Sequence, residues 1–121
     1  MFINIKQYSE QPIYDQIKNQ IKQQILNGTI KEGELLPSIR ALAKELNVSV
    51  ITTKRAYEEL EREGYIVTIP AKGTYVKKID KDKLVNNNIA EVEDQLKKVI
   101  EYAKLFDINR EILIEIIKKL Y

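Results

Sequence analysis

Apolar residues recur at helical spacing in the first quarter of the chain. The stripe consists of Ile13, Tyr14, Ile17, Ile21, Ile25 and Leu26. Such a row predicts an amphipathic helix with one side facing a core. Pro12 suits the first turn, where its missing N–H is not needed, and Gly28 is a natural stop.

Two more helical patterns follow a linker over residues 29–37. Ser38 can cap a short helix with apolar residues at i, i+3, i+4 and i+7, namely Ile39, Leu42, Ala43 and Leu46. Asn47 and Val48 form a brief turn, because Asn tolerates the left-handed conformation. Ser49 can cap a third helix that extends to about Glu63. Its inner face is formed by Thr53, Ala56, Tyr57 and Leu60.

The hydrophobic period then changes from helical to alternating. Residues 65–69 and 74–77 are rich in β-branched and aromatic side chains, and Pro70–Gly73 forms a four-residue hairpin loop between them. Two helices joined by a tight turn and followed by a hairpin are the order of a winged helix-turn-helix.

The C-terminal part has a different pattern. The polar stretch 80–88 is either a linker or the start of a helix. Apolar residues then alternate in steps of three and four, as in a coiled-coil seam, at Ile89, Val92, Leu96, Val99, Ala103 and Phe106. After an interruption at 107–109, a last helix carries Leu113, Ile116, Ile117 and Leu120. The expected fold is mainly α with a small β-hairpin: a winged domain over 1–79 and a two-helix dimerisation segment over 80–121.

The amino-acid composition limits the classes of function that the chain can have. The 121 residues are 44% hydrophobic and 31% charged, yet the net charge is only +2, so a nucleic-acid hypothesis depends on where the charges lie. Cysteine and histidine are absent, which argues against disulfides, a thiolate metal site and the commonest acid–base catalysts. Carboxylates alone could hydrolyse glycosides, but they are scattered on helix exteriors. We expect no enzyme, metal or cofactor. Without a signal or membrane segment, a cytoplasmic protein is expected.

Positive and negative residues lie in different halves of the third predicted helix. Lys54 and Arg55 lie in the first half, and the acids lie mainly in the second half, at Glu58, Glu59, Glu61 and Glu63. In a helix-turn-helix the start of the second helix enters the major groove. This polarity therefore presents cations to phosphates and keeps the acids away from them.

The segment 33–76 resembles the GntR family of bacterial regulators. The matching residues are Leu36-Pro37-Ser38-x-Arg40-x-Leu42-Ala43, then Leu46-x-Val48-Ser49, then Thr52-x-x-Arg55-Ala56-Tyr57-x-x-Leu60-x-x-x-Gly64, and Lys72-Gly73-Thr74-Tyr75-Val76. The small C-terminal part resembles the YtrA-type branch. The resemblance implies a homodimeric repressor that binds double-stranded DNA at a palindromic operator.

The resemblance also implies DNA contacts at named positions: Ser38, Arg40, Ser49, Val50, Ile51, Thr52, Lys54, Arg55, Lys72 and Gly73. Arg40 is expected on a base or phosphate, and Thr52 on the backbone. Lys54, where arginine is common, fits a phosphate better than a guanine. Lys72 and Gly73 form the wing tip, which can reach the minor groove.

Two residues depart from the family pattern. Val50 stands where many members have arginine, and Ile51 replaces a usually polar residue. They either pack locally against the wing or a nearby loop, or they contact thymine methyl groups. The pair is also the one feature that favours the competing hypothesis, a winged-helix module that binds proteins and not DNA.

The C-terminal seam either folds back on the winged domain or pairs with a second copy. Pairing is favoured, because two helices expose more apolar surface than they can hide from water. The expected dimerisation residues are Ile89, Val92, Leu96, Val99, Ala103, Phe106, Leu113 and Ile117. A two-fold dimer would bind half-sites about 34 Å apart or a multiple of that. A small effector could bind between the two parts, although no residue constellation argues for one.

Overall fold

The structure is a computed structural model that describes all 121 residues, Met1–Tyr121. The elements are α1 (Ile13–Leu26), α2 (Ile39–Leu46), α3 (Val50–Arg62), β1 (Ile66–Ile69), β2 (Gly73–Val76), α4 (Lys81–Leu105) and α5 (Arg110–Leu120). Five helices with one antiparallel hairpin confirm the predicted fold class. The chain divides into two compact units, Met1–Ile79 and Asp80–Tyr121.

The first unit has a closed apolar core. Its largest fully buried side chains include Ile17 and Ile21 of α1, Leu60 of α3, Ile66 of β1 and the preceding Tyr65. Helix α1 packs mainly on α3, as the predicted isoleucine stripe requires. One member of the stripe was assigned wrongly, because Leu26 is exposed. Leu26 follows the buried Ile25 by one residue, and the rotation of about 100° per residue turns its side chain off the buried face.

Helices α2 and α3 each begin at a serine that caps the first turn. The Ser38 hydroxyl accepts a hydrogen bond from the Ala41 N–H at 3.1 Å, and the Ser49 hydroxyl accepts one from the Thr52 N–H at 3.0 Å. Between them Asn47 adopts the left-handed conformation, with φ of 55°. Both predicted caps and the predicted turn are confirmed.

The hairpin differs slightly from the prediction. Its register pairs Ile66 with Val76 and Ile69 with Gly73, so the loop has three residues and Gly73 begins β2. The predicted four-residue loop is therefore wrong by one residue. The sheet also gains a short third partner, since the N–H groups of Gly33 and Leu36 donate to the carbonyls of Val76 and Thr74. Part of the presumed linker thus belongs to the wing.

An N-terminal arm runs along α1 and is not among the elements predicted from the sequence. Gln16, Gln20 and Gln24 are four residues apart on one side of the helix. Each side-chain amide accepts from the backbone N–H and donates to the backbone C=O of one residue in the arm. The arm residues bound in this way are Phe2, Asn4 and Lys6. The three glutamines therefore provide hydrogen-bond partners for the backbone of an arm that belongs to no helix or sheet.

The second unit consists of α4 and α5. Asp80 caps α4 by accepting from the Lys83 N–H at 3.2 Å, so the polar stretch 80–88 is the start of a helix and not a linker. At 1.5 Å per residue, the 25 residues of α4 extend over about 37 Å. Asp107, with φ of 54°, ends α4, and Asn109 caps α5. None of the five helices combines the length and apolar composition of a membrane span.

Candidate nucleic-acid interface

The leading turn of α3 is open to solvent. Ile51 is 81% exposed and Val50 38% exposed, so local packing against the wing or a loop does not account for Ile51. Ser49 also donates its hydroxyl hydrogen to the Thr52 hydroxyl at 2.7 Å, which joins the two polar side chains of this turn. The first-turn N–H groups of Val50 and Ile51 precede the first helical hydrogen bond and can donate to an anion.

Two cations lie one turn further along α3. The Arg55 guanidinium stacks on the Tyr14 ring, 3.7 Å from its centre, which fixes the side chain while its N–H edges stay able to donate. The Lys54 ammonium lies 3.8 Å from the Glu58 carboxylate, and both side chains are exposed. Exposed pairs of this kind contribute about 0–1 kcal/mol, so a phosphate can replace Glu58 as the partner of Lys54.

The acidic end of α3 is neutralised within the protein. Lys18 of α1 lies within 4 Å of Glu59 and Glu63, and Lys22 lies 3.1 Å from Glu63. Burial by itself would lower the pKa of Lys18. The carboxylates of Glu63 and Glu59, helped by that of Asp15, offset burial and raise the pKa. Two of the four acids in the second half of α3, Glu59 and Glu63, are therefore paired with cations of α1.

The start of α2 is anchored to α3. The buried Tyr57 hydroxyl donates to the Pro37 carbonyl at 2.7 Å, and burial, with a smaller effect of Glu45, raises the pKa of this phenol. The bond fixes the segment before Arg40, whose side chain is exposed. Lys44, exposed one helical turn after Arg40, is a cation that is not among the predicted DNA contacts. The four-residue spacing could have revealed it, because such residues share a helix face.

The wing presents one cation at its tip. Lys72 is exposed in the loop, and its carbonyl accepts a hydrogen bond from the Tyr75 hydroxyl at 3.2 Å. Gly73 has φ of 122°, and a Cβ there would lie 2.9 Å from the Leu35 Cδ1. Its role in the structure is thus to close the hairpin, a conformation that only glycine adopts without strain.

Charge is distributed unequally between the two units. Residues 1–79 contain 12 of the 20 basic and nine of the 18 acidic residues of the chain, whereas residues 80–121 contain eight and nine. The net charge of +2 hence hides a positive first unit and a slightly negative second one. Within the first unit, ion pairing with Lys18 and Lys22 of α1 reduces the repulsion that Glu59 and Glu63 of α3 would exert on phosphates.

The model of the bacterial regulatory proteins of the gntR family matches residues 13–76. The chain belongs to the GntR family. It is 40% identical over 118 residues to the HTH-type transcriptional repressor YtrA of Bacillus subtilis, covering 98% of this chain and 91% of that one. The predicted resemblance to the family and to its YtrA-type branch is confirmed.

Two solved structures are similar to the chain. A transcriptional antiterminator from Listeria monocytogenes superposes with a TM-score of 0.75 at 32% identity, covering 99% of this chain and 90% of that one. The DNA-binding domain of AraR in complex with operator ORE1 superposes with a TM-score of 0.53 at 25% identity, covering 63% and 93%. The relatives are transcription regulators, and the chain is a DNA-binding transcription regulator of the same family.

Most predicted dimerisation residues are exposed in the structure. Ile89, Val92, Leu96, Val99, Phe106 and Ile117 are all between 40% and 62% exposed. Leu113 is half-buried, and Ala103 is buried within its own chain. The small Ala103 side chain lies at the end of α4, where its carbonyl accepts the N–H groups of Phe106 and Ile108. Ala103 thus holds the α4–α5 corner and has little surface for a partner.

Proposed function

We propose that the protein is a transcriptional repressor that binds a palindromic operator as a homodimer and acts by occupying a promoter. The observation that carries the proposal is the leading turn of α3, which is exposed and has Lys54 and Arg55 on the next turn. The N-terminal end of such a helix enters the major groove, and the cations behind it reach the phosphates.

Five exposed cations in each protomer support this function. Arg40 and Lys44 extend from α2, Lys54 and Arg55 from α3, and Lys72 from the wing. In the proposed complex α2 crosses the DNA backbone, α3 lies in the major groove and the wing reaches the adjacent minor groove or its phosphates. Operator DNA is found in the cytoplasm of a bacterium, and a cytoplasmic location is therefore part of the proposal.

The second unit supplies the reason to propose a dimer. Fifteen of its large apolar side chains are exposed, which is far more than isolated surface residues account for. A groove of about 470 Å³ between the end of α4 and the start of α5 has Ile100 and Leu113 among its walls. A second copy related by a two-fold axis would cover these faces and place two α3 helices on half-sites about 34 Å apart, or a multiple of that.

Salt-dependent binding to a random-sequence duplex tests DNA binding. Ten cations in a dimer, of which roughly half to all contact phosphates, give a log–log slope of affinity against salt of about −4 to −9. Because the substitution removes one cation from each protomer, we expect the slope of Lys54→Gln to be shallower by about 2. A protein with no affinity for the duplex at low salt would instead be a protein-interaction module, the alternative suggested by Val50 and Ile51.

A further inference from the structure

The chemical character of the α3 tip carries an inference about which bases it recognises. Val50 and Ile51 are the two exposed side chains of the first turn, and both are purely apolar. The remaining residues of that turn are the half-buried Thr52 and the fully buried Thr53. The tip therefore has no long polar side chain with which to form a paired hydrogen bond to a base edge.

The hydroxyl groups at this end of the helix are already used. Ser49 accepts from the Thr52 N–H and donates to the Thr52 hydroxyl, and the Thr53 hydroxyl donates to the Ser49 carbonyl at 3.1 Å. The Thr52 hydroxyl keeps its own hydrogen and one lone pair. A single group that can either donate or accept does not discriminate between bases as a bidentate pair does.

Ile51 occupies the centre of the outward face of α3. The buried residues Thr53, Ala56, Tyr57 and Leu60 define the opposite face. Lys54 and Arg55 follow Ile51 by three and four residues, so they are its neighbours on the helix surface. An apolar tip with cations beside it complements a surface on which an apolar group lies between anions.

The major groove offers that combination at thymine. Thymine is the base that presents a methyl group in the groove, and phosphates line both groove edges. Resting on the DNA-binding function proposed above, we infer that Ile51, flanked by Val50, selects operator half-sites by contact with thymine methyl groups. Ile51 is thus a specificity-determining residue, and the cations around it supply affinity that does not depend on sequence.

The test begins with a duplex selected by the full-length protein from a random-sequence pool. Each thymine in one half-site is then replaced by uracil, which removes only the methyl group. Since a buried methyl contributes about 0.8 kcal/mol, we expect about a fourfold loss of affinity at one or two thymines. Replacing the same thymines by cytosine and then by 5-methylcytosine should lower the affinity and then restore about the same fourfold factor.

The variant Ile51→Ala decides whether this residue makes the contact. Alanine is exposed there and favours the helix, so the fold is retained, which circular dichroism can verify. The variant should bind thymine and uracil duplexes equally. The control Leu26→Ala, an exposed apolar residue at the end of α1, should keep the fourfold preference for thymine.

Other outcomes overturn the inference in distinguishable ways. If wild type and Ile51→Ala lose the same factor with uracil, Ile51 does not recognise the methyl, whose effect then comes from another contact or from DNA shape. If no thymine is sensitive, or Ile51→Ala binds every duplex like wild type, the tip is not a methyl reader and a protein contact becomes its explanation. If no duplex is enriched at all, the proposed function fails together with the inference.

Discussion

The two units of the chain differ in how completely they bury their own apolar residues. Of the 14 buried hydrophobic residues, 13 belong to residues 1–79 and only Ala103 belongs to residues 80–121. The second unit instead has 15 of the 23 exposed large hydrophobic side chains. Similar apolar periodicities in sequence therefore lead to a closed core in one unit and to an open face in the other.

The difference shows what each unit needs in order to be stable. Helix α1 meets α3, α2 meets α3, and α3 meets β1, so every apolar stripe of the first unit has a counterpart. Helices α4 and α5 are joined by a corner and have fewer elements to cover them. In the proposed dimer a further copy covers these helices, and we therefore expect the stability of the second unit to depend on protein concentration.

The largest expected effect comes from placing a charge on the open face. Leu96→Glu should convert dimers to monomers, because the carboxylate would have to be desolvated against apolar side chains. Loss of the second binding module should reduce operator affinity by roughly 10²- to 10⁴-fold. Analytical ultracentrifugation measures the first effect and a binding titration the second.

A matched control separates charge from position. Asn87→Glu adds the same charge on the other side of α4 and should leave the dimer intact. An unchanged dimer in Leu96→Glu would place this residue outside the interface.

Shortening a side chain in the closed core should lower the free energy of unfolding by the same amount at every protein concentration. Ile21→Ala removes a fully buried side chain and should lower the free energy of unfolding of the first unit by about 2–5 kcal/mol. The control is Leu26→Ala, which changes an exposed residue on the same helix. It should lower the free energy of unfolding by much less. Denaturant unfolding followed by circular dichroism at two protein concentrations measures both. A loss for Ile21→Ala that varied with concentration would contradict a self-contained core.

Within the first unit, the DNA-facing cations should affect binding and not folding. Arg40→Ala should lower operator affinity by about 1–3 kcal/mol if Arg40 contacts a base. Arg62→Ala, an exposed arginine at the far end of α3 that pairs with Glu59, is the control and should change affinity little. An equal loss on operator and random DNA would reassign Arg40 to a phosphate.

The smallest effect concerns the N-terminal arm, none of whose residues 1–11 is buried. Gln20→Ala removes both hydrogen bonds to Asn4 and should destabilise the arm by on the order of 1 kcal/mol. Hydrogen exchange at residues 3–6 should accelerate while exchange in α3 stays unchanged. Unaltered exchange in the arm would mean that its other contacts hold it in place.

The structural features that depend only on neighbouring residues were predicted correctly from the sequence. The caps at Ser38 and Ser49 and the left-handed Asn47 are properties of single residues and their neighbours, and they appear in the structure as expected. The glutamine contacts to the arm and the pairing of Leu35 with Tyr75 were missed. Both join segments that are distant along the chain, and no periodicity within either segment specifies its partner.

The features of the predicted DNA-binding site also separate into those that depend on one helix and those that depend on packing between helices. The exposure of Ile51 and the capping role of Ser49 follow from positions on one helix. The stacking of Arg55 on Tyr14 and the neutralisation of Glu59 and Glu63 by α1 depend on how two helices pack. The DNA-contact and dimer-contact roles of individual residues stay predictions.

The central claim is that the α3 tip enters the major groove of an operator. Its most direct test is to let the full-length protein select bound duplexes from a random-sequence pool. We expect an enriched inverted repeat with half-site centres about one helical turn apart or a multiple of it. Enrichment of single, unpaired half-sites would contradict the dimer, and a pool that emerges unenriched at low salt would contradict DNA recognition by this chain.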